Sequence, residues 1–101
     1  MQIRNYKDSD FLKVKELLVK SELFNPDYDK RKMMKNKMSH HAGSIIVAEE
    51  KGPIIGCVFI IYDPWASFIY HLAVDPKYRK RGIGTKLLRE AEKRLVKRGT
   101  N

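Results

Sequence analysis

Residues 79–85, Arg-Lys-Arg-Gly-Ile-Gly-Thr, concentrate three adjacent cations, two glycines one residue apart and a hydroxyl. Such a stretch can hold phosphate if it opens a helix. The first amides of a helix have no partner within it, and the helix dipole puts partial positive charge at the same end. An anion docked there satisfies both. Glycine lets main chain approach the oxygens without a Cβ in the way. Two well-known phosphate loops do not fit. The P-loop needs four residues between its first glycine and a Gly-Lys-Ser/Thr, a pattern that does not occur, and the dinucleotide fingerprint requires a third glycine where Leu87 stands.

The elements around the loop have the required order. Residues 68–74 form a short apolar, β-branched and aromatic run, ended by Asp75-Pro76, where proline cannot donate to a ladder. From Thr85 onward, Leu87, Leu88, Ala91 and Leu95 recur at helical spacing, so a helix is expected to pack on a sheet and end near Gly99. At the N-terminus, residues 2–6 suit an edge strand, and Asp8 or Ser9 a helix cap. Phe11, Val14, Leu17, Leu18 and Ser21 make the stripe of an amphipathic helix. Asn25-Pro26 reads as a second helix start, with Asp27 and Asp29 in the first turn and Met34 and Met38 on one face near Tyr28. Residues 44–49 and the almost continuously apolar 54–62 read as strands joined by Glu50-Lys51-Gly52. Gly56 within the second implies a bulge or a close packing contact.

At 101 residues the chain supports one modest core, and 43% hydrophobic with 33% charged residues is ordinary for a globular protein. No apolar run has membrane-spanning length and MQIRNYKDSD lacks the core of a signal peptide, so a cytoplasmic location without membrane contact is the expectation. Cys57 has no cysteine partner and sits in an apolar strand pattern, as a small hydrophobe does. The adjacent His40 and His41 point in different directions on a helix, so no metal is expected there. The net charge of +9 calls for an anionic partner or a solvated basic face. Nucleic acid is the runner-up, because no zinc-finger spacing or RNA-recognition aromatic motif accompanies the charge.

Arg79, Gly82 and Gly84 satisfy the pattern Arg/Gln-x-x-Gly-x-Gly/Ala, preceded by Leu72-Ala73-Val74-Asp75-Pro76 and Tyr78 and followed by Leu87-Leu88. The stretch resembles the coenzyme A pyrophosphate loop of the GNAT family of N-acetyltransferases. The resemblance implies an α/β (α+β) fold, a mostly antiparallel sheet flanked by helices in the order β-α-α-β-β-β-α. It also implies a single domain over residues 1–101 that lacks the family's C-terminal strands and helix. The expectation is then a fragment, a truncated gene product or a chain completed by another copy, a homodimer being one way to cover the apolar sheet edge. The implied function is acetyl transfer from acetyl-CoA to a primary amine by direct attack, with a non-catalytic acyl-CoA-binding module as the alternative. Main chain at Leu72, Ala73 and Val74 would take the pantetheine arm. Lys80, Arg81, Gly82, Ile83, Gly84 and Thr85, with Arg79, would hold the pyrophosphate, and Lys80, Arg81 or Lys86 the remaining phosphate. His71 and Tyr70 are the implied candidates for proton transfer, followed by Glu49 or Glu50. Adjacent strand residues face opposite sides, so only one of His71 and Tyr70 is expected to face the acceptor, and Tyr70 has the expected parity.

Overall fold

The computed structural model describes residues 1–97; the expected helix end near Gly99 lies outside them. The elements run β1 (Gln2–Asn5), α1 (Phe11–Lys20), α2 (Arg31–His40), β2 (Ile45–Glu49), β3 (Ile54–Ile61), β4 (Phe68–Val74) and α3 (Ile83–Lys97), with single 3-10 turns at Asp8–Asp10 and Pro76–Tyr78. The strands form one sheet in the order β1-β2-β3-β4, every pair antiparallel. The element order is the one read from the sequence. No helix among the described residues is long and apolar enough to cross a membrane.

The sheet has a core on each face. Val14, Leu17 and Leu18 of α1 and Met34 of α2 pack with Ile45, Val47, Cys57 and Phe59, while Ile83, Leu87 and Ala91 of α3 pack with Ile46, Ala48, Ile55, Val58 and Ile60. β3, covered on both sides, is therefore continuously apolar. Burial pushes the Cys57 thiol up to about 12, so the cysteine serves as packing.

Two bulges break the two-residue alternation. Ala48 pairs with Gly56 but Glu49 pairs with Ile54, which leaves Ile55 as the extra residue. Gly56 also meets the second expectation of its glycine. A Cβ there would lie 2.9 Å from Leu87 Cδ1, 3.2 Å from the Ala73 carbonyl and 3.3 Å from Ile83 Cγ2. Gly56→Ala is expected to destabilise the fold by about 1–3 kcal/mol through overpacking, seen as a lower urea midpoint at unchanged slope.

Two expected helix starts are displaced. Neither Asp8 nor Ser9 caps α1: Asp8 accepts from Arg31 Nε and Nη2 at 2.9 and 2.7 Å, and Asp10 Oδ2 accepts the Lys7 amide at 2.8 Å. α2 begins at Arg31 rather than beside Pro26. Asn25 Oδ1 accepts the Asp27 amide at 2.9 Å and its carbonyl the Asp29 amide at 2.7 Å, closing a single turn. Lys30 is then extended, and the helix starts afresh.

Arg4 binds Asp10 through both terminal nitrogens at 2.8 and 3.0 Å, and Glu49 through Nε at 2.8 Å. Burial disfavours the Asp10 carboxylate, but the Arg4 guanidinium and the Lys7 amide outweigh it and hold its pKa below the usual range. A depressed folded-state pKa gives stability that is complete above the unfolded value and lost as pH falls through the folded one. Asp10→Asn is therefore expected to flatten the fall in urea midpoint between about pH 4 and pH 2.

Candidate functional site

The sheet ends on β4, and two cavities meet along that strand. The first, about 610 Å³, is bounded by Leu72, Ala73 and Val74 of β4, by Arg79 and Lys80, and by Gly82, Ile83, Gly84 and Thr85. Past the end of β4, Asp75 accepts the Lys77 amide at 3.0 Å and pairs with Lys20 at 3.6 Å. Lys80 at φ 67° and Gly82 at φ 75° turn the chain through left-handed conformations into α3. The helix starts at Ile83, two residues before the expected Thr85, so its first free amides belong to the loop itself. Arg81 stacks on Tyr78 with 5.1 Å from guanidinium to ring centroid. Arg81 and Lys86 stand outside the cavity lining. On the α1 side the cavity is lined by Ser21, whose hydroxyl is buried without a hydrogen-bond partner among the described residues. Free amides, two cations (Arg79 and Lys80), a left-handed glycine and an orphan hydroxyl around one cleft fit a ligand with a pyrophosphate and an amide-bearing arm.

The second cavity, about 410 Å³, lies where α2 crosses β3 and β4, and both Tyr70 and His71 line it. Regular pleating would have put these neighbours on opposite faces of the sheet, but here they share one cavity. Cys57 pairs with Ala73 and Phe59 with Tyr70, so β4 holds one extra residue, and His71 sits at φ 50°. That bulge undoes the alternation and brings the two rings to 5.0 Å, each edge-on to Phe59. A histidine held at positive φ is backbone strain of about 1–2 kcal/mol, which persists only where surrounding structure enforces it.

The enforcing contact is Asp29. Its Oδ2 lies 2.9 Å from His71 Nε2 and accepts the Asn25 amide at 2.8 Å. The pair is largely buried, with side-chain exposures of 8% for Asp29 and 15% for His71. With Asp29 ionised, Nε2–H donates to it and Nδ1 becomes the basic nitrogen of the ring. Tyr70 differs: burial first, then the charge of Asp29, pushes its phenol up to about 12, so it keeps its proton and acts as a donor. Lys37 completes the polar lining. Its Nζ donates to the Ile60 carbonyl and stands 5.4 Å from the Tyr70 ring centroid, and burial pulls its pKa down to about 8.

Glu49 and Glu50 lie elsewhere, paired with Arg4 and the N-terminal amine. His40 Nδ1 is 2.8 Å from the Asn36 carbonyl and His41 packs on Tyr62. Sequence reasoning missed Asp29 and Lys37: Asp29 reads there as a first-turn charge of the second helix, and Lys37 as one of the cations suited to its later turns. The sequence held no signal for Lys37, one of several cations interleaved with Met33, Met34 and Met38.

Comparison with known proteins agrees with this geometry. The profile of the Acetyltransferase (GNAT) family matches residues 9–101. Acetyltransferase plu1384 of Photorhabdus laumondii is 34% identical over 99 residues, covering 98% of this chain and 69% of that protein. Among solved structures, the PaiA N-acetyltransferase of Thermoplasma acidophilum, in complex with coenzyme A, superposes with a TM-score of 0.77 at 20% identity, over 98% of this chain and 74% of that one. Chaetomium thermophilum Naa20, in complex with a bisubstrate analogue, gives 0.80 at 19% identity, over 93% and 55%. The chain thus spans about two-thirds of its curated relative and about half of Naa20. A matching family profile over nearly the whole chain, a relative above 30% identity and a shared fold have one reading: the chain belongs to the GNAT family of acetyltransferases, which are acyltransferase enzymes.

Proposed function

We propose that the chain transfers the acetyl group of acetyl-CoA to a primary amine by direct attack. The observation that carries this reading is the adjacency at the β4 bulge: His71 lines the apolar cavity and Leu72, the next residue, lines the loop cleft. An amine in one cavity and a thioester in the other would meet at that point, as direct transfer requires.

Arg79, Lys80 and the 82–85 main chain would hold the pyrophosphate, and main chain at 72–74 with the Ser21 hydroxyl the pantetheine arm. Bound acetyl-CoA supplies an activated acyl thioester. An amine of pKa near ~10.4 is well under ~1% neutral at pH 7, so attack needs a proton acceptor. His71 Nδ1 takes that proton, and Asp29 holds the ring in the tautomer that leaves Nδ1 free. The amine nitrogen forms the new C–N bond as the C–S bond breaks, the C–S electrons leave on sulfur, and the second proton that the nitrogen sheds as the amide forms passes to the thiolate. The neutral Tyr70 hydroxyl can relay that proton, donating to sulfur as it accepts from nitrogen.

The test is thiol release from acetyl-CoA by the purified chain with a panel of amines, alongside calorimetric titration with acetyl-CoA at two salt concentrations. Micromolar binding and amine-dependent release are the expected results. Binding with no release for any amine would reduce the chain to an acyl-CoA-binding module.

A further inference from the structure

The cavity next to His71 carries a positive charge with no counter-charge. Lys37 Nζ has three protons to donate, and the Ile60 carbonyl takes one. Among the described residues no carboxylate lies within ion-pair distance of it. The cavity's one carboxylate, Asp29, is committed to His71 and the Asn25 amide. The rest of the wall is largely apolar or aromatic, with Met33, Met34, Phe59 and Ile61. A partly buried charge without a partner is costly to keep. Desolvation alone accounts for its lowered pKa of about 8, with no opposing carboxylate. An ordinary structural lysine would have turned to solvent.

Resting on the acetyl-transfer reading above, we propose that the acceptor is a primary amine that also carries a carboxylate on an apolar body, an amino acid rather than a polyamine. Lys37 binds the carboxylate, the methionines and Phe59 take the body, and the amine is left toward His71. A polyamine would set a second ammonium beside Lys37, in a cavity whose only carboxylate is already engaged. A peptide N-terminus would offer a neutral amide where Lys37 calls for an anion.

The experiment compares kcat/KM for phenylalanine, leucine and 6-aminohexanoate with that of phenethylamine, isoamylamine and pentylamine, their decarboxylated counterparts, and with phenylalanine amide and spermidine. At least one acid is expected to exceed its counterpart by about 10- to 100-fold, mainly through KM, the range of a charge-assisted hydrogen bond. Lys37→Met, which keeps the length of the side chain, should collapse that ratio, and Lys37→Arg should retain it. A readout independent of turnover is calorimetric binding of N-acetylphenylalanine against N-acetylphenethylamine to the unaltered chain, with the acid binding more tightly. Equal efficiencies across the pairs, or preference for spermidine, would overturn the inference and leave acetyl transfer standing. Failure of every amine despite acetyl-CoA binding would overturn both.

Discussion

Gly82→Asp is expected to abolish measurable acetyl-CoA binding, a weakening of at least about 100-fold, while the chain stays folded. The two halves of this expectation have separate physical grounds. A Cβ at Gly82 would meet no protein atom within 4 Å, so the substitution clashes with nothing in the fold. Its φ of 75° is left-handed, a conformation aspartate tolerates better than most residues, at a cost of about 1–2 kcal/mol. The open space that spares the fold is the space a pyrophosphate would occupy. A carboxylate there turns attraction into repulsion at the point where the α3 amides converge, and at ~4 Å in a partly desolvated cleft one such pair is worth about 4 kcal/mol. Gly82→Ala adds bulk without charge and should weaken binding less. Circular dichroism and urea unfolding of both variants check the fold, and calorimetry with acetyl-CoA checks the site. Micromolar binding by a folded Gly82→Asp chain would remove the 79–85 loop from the phosphate site.

The loop was legible in the sequence because everything it needs is contiguous. Arg79, Gly82 and Gly84 sit within six residues, and a strand before with a helix after can be read from apolar spacing alone. Face assignments along β4 were not legible, for a reason equally physical. Parity arguments assume regular pleating, and one extra residue at His71 reverses every side chain beyond it. Phe59 opposite Tyr70 and Cys57 opposite Ala73 is a statement about pairing, which a strand's own sequence does not contain. The start of α2 was misread by the same logic. Asn25-Pro26 is a sound local signal and does make a turn, but Asp29 is drawn away from a helical first turn toward His71, 42 residues later in the chain. Gly56 lay between these cases: its glycine announced an irregularity, and the contact with α3 gave it a second reason.

The same long-range pair carries the second large prediction. His71→Ala is expected to lower kcat by about 10²- to 10⁴-fold with little change in acetyl-CoA affinity, because it removes the proton acceptor and leaves the 79–85 loop untouched. The alanine also vacates the ring's place beside Phe59 and Tyr70, so added imidazole should restore part of the rate in proportion to its concentration. A purely structural histidine would not give that signature. Asp29 acts through His71, and its variants separate positioning from scaffolding. Asp29→Asn cannot accept the Nε2 proton as a carboxylate does, and its amide group can favour the opposite tautomer, in which the basic nitrogen turns toward residue 29. Its kcat should fall by about 10- to 100-fold with acetyl-CoA affinity unchanged, a smaller loss than for His71→Ala because the ring remains. Asp29→Glu keeps the charge and should recover part of the rate, although the Asn25 amide bond fixes the reach of the carboxylate and limits that recovery. Equal rates for all four chains with a saturating acceptor would mean that the bulge at His71 shapes the cavity without moving a proton. The amine would then have to lose its proton to water, because the Tyr70 phenol, pushed up to about 12 by burial and by Asp29, keeps its own proton and cannot take another.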